Sequence, residues 1–300
     1  MATTEAISPG YSGLDDWSSE VILAAFSDGQ EQAVRAVRAA HTAIAAAADA
    51  IAARSGRAGR LVYVGAGSSG LIAALDGMEL GGTFGWSDDR VALVLANGPL
   101  LKPGIAGGAE DDAGLAQDEI ARLGVRPEDS VISVAASGST PFTVAAARSA
   151  RTAGALTVGI ANNSGSPLVA AVEFPIVVET GGEVIVGSTR MNAGTAQKAV
   201  LNMLSTLTMI RLGAVYDGMM VELRVENAKL ERRARATVMH IAGCSEQEAA
   251  AALARTEKSV KAAVLVALGV EPDEAGARLA AFSGNLRQTL KGLGLEHRAL

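Results

Sequence analysis

Five short apolar runs, rich in β-branched residues, recur along the first two thirds of this chain. They cover residues 61–64, 91–95, 130–134, 156–160 and 174–178. Segments with the composition and periodicity of helices lie between most of them, near residues 69–79, 111–123 and 141–153. Continuous apolar strands that alternate with helices are typical of a parallel sheet covered on both faces. The pattern predicts an α/β fold: a flavodoxin-like, doubly wound parallel sheet of five strands with flanking helices.

Helical sequence flanks this unit on both sides. Residues 17–54 predict two helices, with a break at Ser27-Asp28-Gly29 and Asp28 as a candidate cap of the second. After Gly187 the strands stop, and the sequence predicts helices over 191–212 and 217–242, then three or four short ones. The predicted domains are an N-terminal arm with helices (1–54), the α/β domain (55–215) and a small C-terminal helical domain (216–300).

Composition restricts the partners of the chain. It has 300 residues, 49% of them hydrophobic, and a formal net charge of −6 without a Lys/Arg block, which disfavours nucleic acid. No apolar stretch reaches the roughly 18–20 residues of a membrane span. The first 20 residues lack the pattern of a signal peptide. One cysteine and scattered histidines predict no disulfide and no metal site, so we expect a cytoplasmic protein.

The first candidate binding motif is Gly65-Ala66-Gly67-Ser68-Ser69-Gly70, which follows a strand and opens a helix. Glycines permit a tight turn, and serine hydroxyls with the free N–H groups of a helix start suit an anion. The motif is superficially similar to a dinucleotide fingerprint. However, the second strand ends in Ala96-Asn97 rather than in an acidic residue for a ribose hydroxyl.

A second turn of the same kind is Ala135-Ala136-Ser137-Gly138-Ser139-Thr140-Pro141. Pro141 suits the first turn of a helix, where its missing N–H costs nothing. Two ordinary helix caps would explain both turns, but the hydroxyl groups exceed what capping needs. Two hydroxyl-rich turns in one sheet therefore predict a shared phosphate pocket.

The pair of turns resembles the sugar isomerase (SIS) domain, whose members bind phosphosugars through Ser and Thr of these loops. The resemblance implies that residues 55–215 form an SIS domain that takes a phosphosugar without a cofactor. It also implies phosphate contacts from residues of both turns, which are Gly67, Ser68, Ser69, Ser137, Gly138, Ser139 and Thr140.

The stretch from Gly187 to Lys198 resembles the N-acetylmuramic acid 6-phosphate etherase family, and it adds Ser188, Thr189 and Arg190 as candidate binding residues. Arg190 is the expected anion partner, with a structural ion pair as the alternative. The resemblance extends to residues 76–79 and 108–111, and to Thr4-Glu5 in the arm. It implies cleavage of the lactyl ether at C3 of the sugar, which yields D-lactate and N-acetylglucosamine 6-phosphate and serves cell-wall amino-sugar recycling.

This reaction needs carboxylates. A base removes the proton at C2 of the open-chain sugar, an acid protonates the departing ether oxygen, and water then adds at C3. Two carboxylates in different protonation states suffice, and no metal is required. By resemblance, Glu79 is the proton-donating acid and Glu110 the second catalytic glutamate. Without the resemblance, each would be interpreted as a solvated helix carboxylate.

Glu79 lies ten residues beyond Ser69, which is about 15 Å in a continuous helix. One phosphosugar does not easily bridge that gap, so either the helix folds back or Glu79 serves a partner subunit. The family forms dimers with sites at the interface, and the resemblance therefore implies a homodimer with a shared site.

Three positions depart from the family pattern, since Ile7, Leu71 and Asn192 stand where it carries cations. The lactyl carboxylate of the substrate would need such cations. The departures keep two alternatives open: an aldose–ketose isomerase acting on a related sugar phosphate, and a phosphosugar sensor without turnover. Retention of Glu79 and Glu110 favours an enzyme over a sensor.

Overall fold

The structure is a computed structural model that describes residues 3–56, 58–98 and 107–295. The chain forms two compact units. The first contains Met1–Met78 and Asp89–Leu207, and the second contains Glu79–Asp88 and Thr208–Leu300. The division into three domains at residues 54 and 215 stays a prediction.

The first unit is built on a parallel sheet. Its strands are β1 (Leu61–Gly65), β2 (Val91–Leu95), β3 (Ser130–Ala135), β4 (Leu156–Ala161) and β5 (Phe174–Val177). They pair in parallel in the order β2-β1-β3-β4-β5. The strands β1, β3 and β4 are buried along their whole length, as the interior of a doubly wound sheet requires. The predicted fold class is confirmed.

Seven helices begin in the described part of the first unit. They are α1 (Ser19–Val37), α2 (His41–Ser55), α3 (Gly67–Phe84), α4 (Ala113–Leu123), α5 (Pro141–Thr152), α6 (Pro167–Ala171) and α7 (Asn192–Arg211). The last residues of α3 and α7 are counted with the second unit. No described helix is both long and apolar enough to cross a bilayer.

The predicted helix break at Ser27-Asp28-Gly29 is wrong, because α1 continues through it and Asp28 caps nothing. The interruption lies at Arg38–Ala40, a single 3₁₀ turn. Gly29 is buried, and a β-carbon on it would lie 2.7 Å from the side chain of Asn192. This glycine therefore permits a close approach between helices rather than ending one.

The second unit contains a hairpin and helices. Its further elements are β6 (Val215–Tyr216), β7 (Met219–Met220), α8 (Ala228–Ala242), α9 (Glu246–Arg255), α10 (Val260–Ala267), α11 (Pro272–Ala281) and α12 (Leu286–Gly292). Apolar side chains of these elements form one core, which includes Val238, Leu253, Leu265 and Leu290.

The expected helix over residues 217–242 is wrong over residues 217–227. Asp217 and Gly218 both have positive φ, as in a tight hairpin turn, and α8 begins after Asn227. The side chain of Asn227 caps α8 by accepting a hydrogen bond from Leu230 N–H at 3.0 Å.

Candidate active site

The carboxyl ends of β1 and β3 lie side by side in the sheet, where Gly65 pairs with Val134. The strand order reverses here, because the chain runs from β1 outward to β2 and from β3 outward to β4 on the other side. Open α/β sheets bind ligands at such a switch point. Both hydroxyl-rich turns leave the sheet at this position.

The first turn is packed tightly against the end of β1. A β-carbon on Gly65 would lie 2.7 Å from Cα of Gly70, so a larger residue would push α3 away from the strand. Ser68 and Ser69 consequently lie in the first turn of α3, both half-buried. The N–H groups of a first helical turn have no partner within the helix and can donate to an anion.

The second turn is held by local hydrogen bonds. Gly138 has φ of +67°, and a β-carbon on it would lie 2.1 Å from Ser166 Oγ. Ser137 Oγ accepts hydrogen bonds from Ser139 N–H at 3.1 Å and Ser139 Oγ at 3.0 Å. Thr140 is the N-cap of α5, but its side chain makes no capping hydrogen bond. The hydroxyl of Thr140 is therefore not used for capping.

Both turns border a cavity of about 410 Å³. This volume is within the usual range of small-molecule sites. The described lining residues are Glu5, Ala66, Gly67, Ser68, Ser69, Glu110, Asp111, Ala136, Ser137, Ser139, Thr140, Pro141 and Thr189. Among the expected residues, Gly138, Ser188, Arg190 and Glu79 do not line it. The binding and catalytic roles of the expected residues stay predictions.

Glu110 reaches the cavity from a 3₁₀ turn over Gly107–Asp111. A β-carbon on Gly67 would lie 3.7 Å from Glu110 Oε2, which places this carboxyl beside the start of α3. Asp112 instead caps α4 and accepts a hydrogen bond from Leu115 N–H at 2.9 Å. The acidic run at residues 110–112 therefore divides between the cavity and the helix cap.

Glu79 is exposed near the C-terminal end of α3. Because α3 is continuous from Gly67 to Phe84, a helix that folds back after Ser69 is ruled out. One of the two explanations for the long separation between Glu79 and Ser69 is thereby removed.

Thr189, which also lines the cavity, lies just before α7, and the start of that helix is held by a buried carboxyl group. Glu183 accepts hydrogen bonds from the N–H groups of Asn192 at 2.8 Å and Ala193 at 2.9 Å, which caps α7 just after Thr189. Burial raises the pKa of Glu183, against the opposing effect of these two hydrogen bonds. Sequence reasoning missed Glu183, because a glutamate nine residues before a helix matches no local capping pattern.

The three positions that lack the expected cations are not part of the cavity wall. Ile7 and Leu71 are exposed, and Asn192 is buried at the start of α7. The described residues that line the cavity include three carboxyl groups and no Lys or Arg. One of the three is Glu5, which belongs to the part of the arm that resembles the family but to which the sequence assigned no role.

Comparisons with known proteins identify relatives of this chain. A family model described as the SIS domain matches residues 26–162. Over 288 residues the chain is 47% identical to an N-acetylmuramic acid 6-phosphate etherase of Deinococcus radiodurans, covering 96% of this chain and 94% of that protein. A protein of the same name from Rubrobacter xylanophilus is 49% identical over 232 residues, covering 77% and 76%.

Among solved structures, a protein from Bacteroides fragilis proposed to be a phosphosugar isomerase involved in capsule formation has the same fold. The TM-score is 0.50 at 19% identity, covering 71% of this chain and 96% of that one. The sequence match to the Deinococcus radiodurans protein extends over nearly the whole length of both chains. The chain belongs to the N-acetylmuramic acid 6-phosphate etherase family.

Proposed function

We propose that this chain cleaves the C3 lactyl ether of N-acetylmuramic acid 6-phosphate and releases D-lactate and N-acetylglucosamine 6-phosphate. The observation that carries the proposal is the position of Glu110, on the wall of the cavity that the two hydroxyl-lined turns border. The 47% identity to an etherase over nearly the full length supports the same reaction. Cytoplasmic amino-sugar recycling is the setting that this reaction implies.

The two turns provide a binding site for the phosphoryl group. Ser68 and Ser69 contribute hydroxyls at a helix start, and Ser137, Ser139 and Thr140 contribute hydroxyls from the second turn. A hydrogen bond to a charged group contributes about 1.5–3 kcal/mol, so a few of them fix the phosphate end of the sugar. The carbon atoms of the sugar then extend along the cavity toward the carboxyl groups.

The reaction is an elimination followed by an addition. A carboxylate removes the proton at C2 of the open-chain sugar while a carboxylic acid protonates the ether oxygen at C3. The C3–O bond breaks, lactate leaves, and a C2–C3 double bond remains. Water then adds its oxygen to C3 and a proton returns to C2. We assign the proton donation to Glu79 and the second catalytic role to Glu110.

We propose that Glu79 acts in the cavity of a partner subunit of a homodimer. Along the continuous helix α3, Glu79 is about 15 Å from Ser69, too far for one sugar phosphate. Leu71, Leu75 and Met78 are exposed at i, i+4 and i+7 on one face of α3, with 42%, 46% and 61% of their surfaces accessible. A contiguous apolar stripe of this kind is typical of an interaction surface.

Incubation of the protein with N-acetylmuramic acid 6-phosphate in heavy-oxygen water tests the reaction. We expect mass spectrometry to find the label in the hydroxyl at C3 of the product sugar and none in lactate. Label in lactate would contradict the elimination. Conversion between aldose and ketose phosphates without lactate would identify an isomerase, and ligand-induced stabilisation without any product would identify a sensor.

Mixed dimers test the shared site. One chain carries Glu79→Gln and the other Glu110→Gln, so each mixed dimer retains one site with both glutamates. We expect activity to return to at most about a quarter of the wild-type value, because half of the dimers are mixed and half of their sites are intact. Dimers that join two Glu110→Gln chains are the control. Absence of any regained activity would contradict sharing without contradicting the reaction.

A further inference from the structure

The N-terminal arm brings a carboxyl group to the cavity. Thr3–Glu5 forms a single 3₁₀ turn, and Glu5 is one of the residues that line the cavity. A β-carbon on Gly187 would lie 3.1 Å from Glu5 Oε2, so the carboxyl rests against the segment that leads to Thr189. The side chain of Glu5 therefore lines the cavity beside the segment that carries Thr189.

A buried asparagine fixes the arm in this position. Asn163 Oδ1 accepts hydrogen bonds from Thr3 N–H at 2.6 Å and from Thr3 Oγ1 at 2.7 Å. Asn163 Nδ2 donates to Thr4 Oγ1 at 3.2 Å and to the carbonyl oxygen of Ala136 at 2.9 Å. Thr4 is fully buried. Chain termini are usually poorly ordered unless they are tied down, and here one side chain ties the arm directly to the second turn.

The cavity wall offers two kinds of chemistry. Hydroxyl and N–H groups of the two turns suit a phosphoryl group, whereas Glu5, Glu110 and Asp111 repel it. A carboxylate oxygen accepts hydrogen bonds, so the ligand atom that it takes must be a donor. The neutral donors of an amino-sugar phosphate are its hydroxyl groups and its amide N–H. The proposed reaction engages Glu79 and Glu110 and leaves Glu5 without a role.

We propose that Glu5 determines specificity by accepting a hydrogen bond from a hydroxyl or amide N–H of the sugar, and that Asn163 is the positioning residue that holds it there. This inference rests on the proposed function for the class of ligand. It does not require turnover, because the contact forms with a bound phosphosugar whether or not the lactyl ether is cleaved.

Binding of two ligands tests the role of Glu5. The dissociation constants of N-acetylglucosamine 6-phosphate and of inorganic phosphate are measured by calorimetry for the wild-type protein and for Glu5→Gln. We expect the Kd of the phosphosugar to rise about tenfold, because the neutral Gln carbonyl oxygen accepts a weaker hydrogen bond than the charged carboxylate. The Kd of inorganic phosphate should stay unchanged or fall. An unchanged phosphosugar Kd, or equal weakening of both ligands, overturns the proposal.

Glucose 6-phosphate distinguishes the two donors. If Glu5 accepts from a hydroxyl group, Glu5→Gln weakens glucose 6-phosphate as much as the N-acetylated sugar. If it accepts from the amide, only the N-acetylated sugar is weakened. Glu20→Gln, which neutralises an exposed carboxylate at the start of α1, is the matched control and should change none of these constants.

The double variant tests the role of Asn163. Asn163→Ala should weaken phosphosugar binding by about the factor seen for Glu5→Gln, and the double variant should be no weaker than either single one. If the factors by which the two single variants weaken binding multiply in the double variant, the positioning role of Asn163 is overturned. Inorganic phosphate binding reports on the second turn, because Asn163 also donates to Ala136 in that turn. If Asn163→Ala weakens phosphate binding, the variant acts through the second turn, and the positioning role of Asn163 toward Glu5 is overturned. Deletion of residues 1–5 removes Glu5 without altering Asn163 and should reproduce Glu5→Gln.

These outcomes are separable from those of the proposed function. If the wild-type protein binds the phosphosugar but releases no lactate, the etherase proposal fails and the binding test of Glu5 still applies. If lactate is released and Glu5→Gln binds the phosphosugar normally, the role of Glu5 fails and the etherase proposal stands.

Discussion

The two ends of α3 differ in what a single chain provides around them. At the N-terminal end, Ser68 and Ser69 line the cavity together with Glu110 of the same chain. At the C-terminal end, Glu79 is exposed, and the stripe of Leu71, Leu75 and Met78 that leads toward it is exposed as well. A straight helix cannot bring both of its ends to one small ligand. The difference supports the proposal that Glu79 acts in the cavity of a partner subunit.

The middle of α3 is anchored between these ends. Asp76 accepts hydrogen bonds from Tyr63 Oη at 3.0 Å, Asn202 Nδ2 at 2.8 Å and Ser205 Oγ at 3.1 Å. These contacts join α3 to β1 and α7. Burial raises the pKa of Asp76, although the three hydrogen bonds act in the opposite direction.

The largest effect is expected at the cavity end. In the proposed mechanism Glu110 transfers a proton, so Glu110→Gln should lower kcat by about 10²–10⁴-fold. Steady-state kinetics of lactate release measure the change. Asp118→Asn, an exposed carboxylate on α4, is the matched control and should retain wild-type kcat. A wild-type kcat for Glu110→Gln would contradict the proposed catalytic role of Glu110 at the cavity end of α3.

A smaller effect is expected from the exposed face. Leu75→Glu places a charge in the apolar stripe without disturbing the core, because 46% of the Leu75 surface is accessible. We expect the chain to become a monomer by light scattering and its lactate release to fall about tenfold or more, since Glu79 then lacks a partner cavity. Ala251→Glu, on an exposed face of α9, controls for the added charge. A monomer with full activity would contradict the shared site.

The smallest effect concerns the anchor and its pH dependence. The folded-state pKa of Asp76 is raised above its ordinary value of 3.8, so the folded protein holds this proton more strongly than the unfolded chain. Stability from this proton is present below pH 3.8 and is lost as the pH rises through the folded pKa. Relative to Asp76→Asn, the free energy of unfolding of the wild type should fall across that interval and then remain level. Denaturant titrations at several pH values measure it, and a difference that does not vary with pH would contradict the raised pKa.

The sheet could be predicted because each strand is specified locally. Leu61–Gly65 and Ser130–Ala135 are short, mostly apolar runs typical of a doubly covered sheet, and both are followed by turns with glycine and hydroxyl residues. Local patterns failed where distant packing determined the outcome. The local pattern predicts a break at Gly29, but Gly29 lies inside α1. There it packs closely against Asn192, which is more than 160 residues away.

Local patterns also predict the part of the candidate site that lies in the two turns, but not the part that depends on distant packing. Ser69 and Ser139 belong to turns whose position in a parallel sheet follows from the strands before them, so their shared cavity could be expected. Glu183 and Glu5 could not be found in this way. Glu183 caps a helix that begins nine residues later, which no capping pattern encodes, and Glu5 contacts Gly187, which is distant in sequence.

By itself, the sequence determined the parallel sheet, the two hydroxyl-lined turns and the family, because hydrophobic periodicity and turn chemistry act over a few neighbouring residues. Only the tertiary structure decided that Glu5 joins the cavity through Asn163 and that Glu79 does not line the cavity of its own chain. Such assignments depend on how far each helix extends and which distant backbone it touches, and these follow from packing of the whole fold.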